Sequence, residues 1–281
     1  MRPPPPRIGT VPYLNARPLV RGLERAGEKA DPSAPRPPTA GDLGMTLTRL
    51  PPADLAREFE TGRLAAALVP AVAAAARPEY RIIPGIAIAS DGPVESVLLF
   101  CRRPLPEVRR IAADSTSRSS TALLRILCRE AFRIAPEFAP HDPAVGISPD
   151  ADATMLIGDA ALRSPRDGCA EVVDLAGAWK SLTGLPFVFA VWVVREGSGT
   201  RDLARALQDA KATGLAALPE IAREAAPDLG LPPDRCLAYL QRLRYDLGPR
   251  EEDGMRLFLR KAGAPDAIRF MQPPPPTVVR P

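Results

Sequence analysis

This sequence predicts an α/β protein of two lobes, and three observations predict it. The first ninety or so residues alternate short apolar runs with amphipathic stretches, the pattern of layered α/β structure. Two long apolar runs, 96–101 and 187–194 (FVFAVWVV), bracket a self-contained α/β block, as a chain does when it crosses into a second lobe and returns. The third is IGTVPYLNARPL at 8–19: a short buried strand over 8–11, a Pro-Tyr-Leu-Asn turn, then a helix entered at 16–17. In open α/β sheets ligands bind outside the carboxyl ends of strands, so Asn15 is either a ligand-facing amide or an ordinary helix cap.

Along the chain, the helix from 16 to about 26 leads into a proline-rich loop, 31–38, and then a half-buried strand over 43–50. Pro51 and Pro52 end that strand, and Pro52 opens a helix with Leu55 and Phe59 on one face and Gly62 as its stop. An apolar strand follows at 64–69, then two short strands at 80–83 and 86–89. The inserted block reads as strand 110–113, helix 118–132, strand 154–157 and strand 171–174. From 200 to 262 the periodicity is helical, with Cys236, Tyr239, Leu240 and Leu243 on one buried face. The lobes are expected at 7–97 with 193–281, and at 98–192. Segments 1–6, 31–38 and 272–281 are expected to be proline-rich and flexible.

Composition narrows the function. The 281 residues are 46% apolar and 25% charged, as in a soluble globular chain. A net charge of +4 is scattered, and 5% aromatic residues offer little to stack bases on, so no nucleic-acid partner is expected. Cys101, Cys128, Cys169 and Cys236 are far apart and His141 is the only histidine, which favours neither a zinc site nor a disulfide framework. His141 sits in a polar, proline-rich stretch and reads as a surface residue. No apolar leader or membrane-spanning run is visible, so no membrane insertion and a cytoplasmic location are expected.

Chemistry is expected at three polar turns. The first carries Tyr13 and Asn15. The second is Ser90-Asp91-Gly92, where glycine permits close backbone approach, although such a turn can serve only to redirect the chain. The third, at 114–120, places Ser117, Ser119 and Ser120 before a long helix, as a cradle for a carboxylate or phosphate or as a serine-rich cap. Two turns come from one lobe and one from the other, so together they can grip a small anion across a cleft.

The segments RIGTVPYLNARPLV, IASDGPVESVLLF, DSTSRSSTALLRIL, LIGDAAL, DLAGAWKSLTGLPFVFAVW and YLQRLRYDL resemble, in order, the chorismate dehydratases of the futalosine route to menaquinone. The resemblance implies a type II periplasmic-binding-protein-like fold with two hinge-crossing strands. It also implies removal of water from chorismate to give 3-[(1-carboxyvinyl)oxy]benzoate without a metal or redox cofactor. It implies that Asn15 and Ser90 assist the elimination; from the turns they occupy, Tyr13, Asp91, Gly92, Ser117, Ser119 and Ser120 are expected about the substrate. Asp159 of LIGDAAL either closes the other wall or caps a helix. Where the family usually has an acidic residue and a serine, this chain has Ala65 and Ala71. Two rivals share the fold: a non-catalytic binding protein for an anionic metabolite, and the pathway's 1,4-dihydroxy-6-naphthoate synthase, whose N-terminal turn typically reads Ser-Pro-Cys-Pro-Asn.

Overall fold

The computed structural model describes residues 7–24, 46–114, 117–195, 200–265 and 268–271; the proline-rich segments at 1–6, 31–38 and 272–281 lie outside them. The chain first lays down β1 (Arg7–Thr10), β2 (Thr46–Arg49), β3 (Ala66–Pro70) and β4 (Tyr80–Ser90). It then passes to β5 (Val97–Cys101), β6 (Arg110–Asp114), β7 (Glu137–His141), β8 (Ala153–Ile157) and β9 (Glu171–Asp174), and returns as β10 (Phe187–Arg195). Two five-stranded sheets result, ordered β2-β1-β3-β10-β4 and β7-β6-β8-β5-β9. The helices are α1 (Arg17–Glu24), α2 (Pro52–Glu60), α3 (Ala71–Ala74), α4 (Arg118–Leu127), α5 (Gly158–Arg163), α6 (Leu175–Thr183), α7 (Thr200–Ala216), α8 (Leu218–Leu229), α9 (Pro233–Arg242) and α10 (Pro249–Lys261).

In each sheet one strand opposes its neighbours: β10 is antiparallel to β3 and β4, and β5 to β8 and β9. Both are strands reached from the other sheet. The carboxyl ends of the remaining strands and the amino ends of β5 and β10 therefore share one edge of each sheet, where ligand-binding loops collect. The changes of sheet fall in the non-strand segments 91–96 and 184–186. The expected boundary at 192–193 instead falls inside β10, all of which pairs in the first sheet.

Four local readings are corrected. The two short strands expected at 80–83 and 86–89 are one strand, β4, with a bulge opposite Val191 and Val193 that absorbs Pro84 and Gly85. Gly85 takes φ +76°, which a bulge can use and a regular ladder cannot. The strand β7, from a stretch read as loop, is an edge strand bonded only to β6 and so tolerates Pro140. The helix expected over 118–132 is α-helical only to Leu127 and finishes as a π turn over Cys128–Phe132. The helix α6 was not anticipated; Asp174 caps it, accepting from Ala176 and Gly177 N–H, both at 3.0 Å.

Packing fixes the crossings. The other Asp174 oxygen accepts from Val94 N–H at 2.8 Å and Glu95 N–H at 2.7 Å, which holds the first crossing where Glu95 adopts φ +64°. At the second crossing Trp179, Phe187 and Phe258 meet edge to face, and Trp179 Nε1 donates to the Pro186 carbonyl at 3.2 Å. Elsewhere α1 lies directly on α7: a Cβ placed on Gly214 would stand 1.8 Å from the Pro18 carbonyl oxygen, so only glycine permits that approach. The main apolar core runs through elements of both sheets, and a smaller, separate cluster of Leu98, Phe100, Leu156 and Ala161 forms in the second.

Candidate active site

A partly open cavity lies where the strand ends of the two sheets meet. Tyr13 and Asn15 enter it from the turn after β1, Ser117, Ser119 and Ser120 from the start of α4, and Ser96 and Val97 from the start of β5. Leu68, Pro70, Ile88, Phe189, Ala190 and Leu243 supply much of its apolar wall. The first and third expected turns, a hundred residues apart in sequence, are thus brought together. Neither Ala65 nor Ala71 lines the cavity.

Asn15 is not a helix cap. It sits in a 3-10 turn, Leu14–Ala16, ahead of α1, and its buried Oδ1 has no hydrogen-bond partner. Asp159 holds this turn in place: Leu14 N–H donates to its Oδ1 at 3.1 Å, a bond between α5 and the turn after β1. Burial pushes the Asp159 carboxyl above its ordinary value, and the Leu14 N–H draws it part of the way back. Asp159 lines an adjoining recess with Asp114 and Arg163, and Tyr13 lines both that recess and the main cavity. The Tyr13 ring packs against Gly158, where a Cβ would lie 3.5 Å from it. Burial, and then the charges of Asp114 and Asp159, raise the Tyr13 hydroxyl, which therefore stays protonated near neutral pH.

Ser117 opens α4 without its side chain capping the helix. Ser119 Oγ accepts from Val72 N–H at 3.3 Å, which leaves its own proton to donate. With the unpaired first-turn amides of α4, these serines form a polar cradle. Ser90 is buried at the end of β4 with an unpartnered hydroxyl, two residues beyond the lining residue Ile88 and on the same strand face, and does not itself line the cavity. Asp91 and Gly92 are not brought in. The Asp91 carboxylate is engaged by Lys180 at 2.5 Å, Arg244 at 3.2 Å and Arg250 at 3.7 Å, and Gly92, at φ +137°, serves the turn. Lys180 foremost holds the Asp91 carboxyl below its ordinary value.

Sequence reasoning missed Ser96, which reads there as the first residue of an apolar run, and assigned Tyr239 only to a buried helix face. The Tyr239 hydroxyl donates to Ser96 Oγ at 3.0 Å inside the core. Among the described residues lining the cavity there is no Asp, Glu, His, Lys or Arg. His141 lies elsewhere, its Nε2 2.7 Å from the Gly146 carbonyl.

A two-walled pocket with hydroxyls, one free amide oxygen and no charged lining can be compared with known proteins. The sequence model of a family described as menaquinone biosynthesis matches residues 6–264. The chain belongs to this menaquinone biosynthesis family. Among its relatives, the chorismate dehydratase of Thermus thermophilus is 31% identical over 245 residues, covering 81% of this chain and 90% of the relative. In structure, a protein of Archaeoglobus fulgidus superposes with a TM-score of 0.71 at 17% identity, over 92% of this chain and 96% of that one. The periplasmic aliphatic sulphonate binding protein of Escherichia coli gives 0.63 at 15% identity, over 97% and 93%. At those identities the likeness is one of fold, and this menaquinone biosynthesis protein has the two-lobed periplasmic-binding-protein-like architecture. No helix among the described residues is long and apolar enough to cross a membrane.

Proposed function

We infer that the chain is a chorismate dehydratase, converting chorismate to 3-[(1-carboxyvinyl)oxy]benzoate and water in menaquinone biosynthesis. The observation that carries the reading is 31% identity to a chorismate dehydratase over 81% of the chain, beside a cavity lined by hydroxyls and by Asn15, whose Oδ1 has no partner. A ring C–H and the ring C–O bond break, the C–H electron pair enters the ring, and the departing hydroxide takes a proton to leave as water. The ring becomes aromatic, so the protein's task is to orient the substrate and meet charge as it develops. A carboxylate of the substrate serves as the ring proton's acceptor, in keeping with a lining that has no carboxylate or imidazole.

In this reading Asn15, in the cavity lining, assists departure of the hydroxyl, and Ser90, buried two residues beyond the lining residue Ile88, assists through its unpartnered hydroxyl as the substrate settles against that wall. Ser117, Ser119 and Ser120 hold a carboxylate at the α4 amides, and Tyr13 closes the cavity toward the recess. Asp159 acts through the turn it steadies. A cytoplasmic location fits four free cysteines, of which Cys101 and Cys128 are pushed up to about 12 by burial and are inert as nucleophiles. Purified protein incubated with chorismate should yield the aromatic enol ether by mass-resolved chromatography. Chorismate unchanged after long incubation ends the reading, and binding without turnover indicates the non-catalytic alternative. Asn15→Ala or Ser90→Ala should lower kcat by about a hundredfold with the fold intact. Full activity in both removes them from the mechanism.

A further inference from the structure

Tyr239 lies on α9, far in sequence from every turn expected to build the site, and is almost wholly buried. A side chain needed only for apolar bulk there would do better as phenylalanine, because a buried hydroxyl loses its water and must find partners. This one donates to Ser96 Oγ at 3.0 Å, and the Asn15 side chain lies near enough to act on its hydroxyl in the sense of a donor. Asn15 belongs to the turn after β1 and Ser96 to the crossing segment before β5, and both line the cavity. The tyrosine therefore joins two walls of the pocket from behind.

The chain of bonds has a direction. Once the Tyr239 proton is committed to Ser96, its oxygen can only accept, and the neighbouring Asn15 amide N–H is the donor placed to use it. That turns Asn15 Oδ1 away from the link, where it is buried and unpartnered. At the other end Ser96 Oγ accepts from Tyr239 and keeps its own proton to give. An asparagine amide on its own can rotate end for end; one bonded to a tyrosine that is already donating elsewhere cannot do so without losing a bond. The cavity is thus offered an acceptor at one end and a donor at the other. These are the two complements of a secondary alcohol, whose proton goes to Asn15 Oδ1 and whose oxygen receives the Ser96 hydroxyl.

We propose that Tyr239 is a positioning residue for the dehydration, ordering Asn15 and Ser96 into one hydrogen-bonded chain that grips the departing hydroxyl of the substrate. The proposal rests on the dehydratase reading and adds to it Ser96, as a hydroxyl that touches substrate, and Tyr239, which acts through its neighbours. Tyr239→Phe keeps the ring and its packing while deleting the hydroxyl. It should lower kcat by about ten- to a hundredfold, the scale of a misoriented catalytic group, and change KM by less than about threefold. In an Asn15→Ala background the same change should cost measurably less, because one of the two groups it orients is gone. Ser96→Ala leaves α9 intact and should reproduce the kcat loss, so it tests the chain even if the phenylalanine variant folds poorly.

Thermal melting of each variant with chorismate kinetics separates the outcomes. An active wild type whose Tyr239→Phe and Ser96→Ala variants keep the wild-type kcat overturns the proposal alone. So does a raised KM with kcat unchanged, or a Tyr239→Phe loss that is undiminished without Asn15. A wild type that leaves chorismate untouched overturns the dehydratase reading, and the proposal with it.

Discussion

Replacing Asp159 tests how the second sheet steadies the turn that carries Asn15. Its carboxylate accepts one backbone N–H, that of Leu14, at 3.1 Å, and burial raises its pKa above the ordinary 3.8. A carboxyl that holds its proton more tightly when folded favours the fold below its unfolded pKa, and that contribution is lost as pH rises through the folded value. At pH 7 the charge is therefore a burden, although the acceptor is useful. Asp159→Asn keeps an acceptor without the charge and should melt at or above the wild-type temperature at pH 7. The difference should close as the pH falls through the raised folded value, where the wild-type carboxyl takes up its proton. Asp159→Ala removes the acceptor and leaves the Leu14 N–H unsatisfied. Because Asn and Ala are both neutral, the gap between them isolates the hydrogen bond at every pH: about 1–3 kcal/mol, roughly 3–9 °C in Tm for a chain of this size. Differential scanning calorimetry from pH 4 to 8 reads both effects, and kcat in the Ala variant should fall as the turn loosens. If Asn and Ala melt together across that range, or Ala keeps full turnover, the bond does not hold the site.

Asp91, taken from the sequence as a substrate contact, should affect stability instead. Its carboxyl is held low by Lys180, so its contribution is present above the unfolded pKa and disappears as pH drops through the folded one. Asp91→Asn should lower Tm at pH 7 and low salt by about 2–4 °C, worth about 1 kcal/mol, converge with wild type in acid, and leave KM unchanged. Gly214→Ala forces a methyl against the Pro18 carbonyl and should cost about 1–3 kcal/mol in denaturant melts; turnover per folded molecule should hold, since neither residue lines the cavity.

Much of this protein was legible in its sequence because its strands are short, apolar and flanked by polar turns. The strand β9 begins and ends at the expected 171 and 174, and the serines of 117–120 announce a helix start. What escaped did so for identifiable reasons. Pro84-Gly85 is a stop signal by every local rule, yet a bulge carries β4 through it. Pro140 disguises β7 because an outer strand needs fewer donors than a central one. Asp91 looks like Ser90's companion in a functional turn until Lys180, ninety residues later in the chain, is placed beside it. Ser96 and Tyr239 are individually unremarked residues of an apolar run and a helix face, and only the packing of α9 behind the cavity makes them a pair. The N-terminal turn was found, but its anchor, Asp159, acts through a backbone amide that no side-chain pattern reveals.

The Asp174 carboxylate has a mechanical consequence. One of its oxygens grips the backbone at Val94 and Glu95, while the other starts the helix that delivers the chain to Pro186. The first crossing is therefore tied to the opening turn of the helix that precedes the second. One side chain secures both the route out of the first sheet, where Glu95 sits at φ +64°, and the approach back to it, so losing this carboxylate would loosen both connections at once.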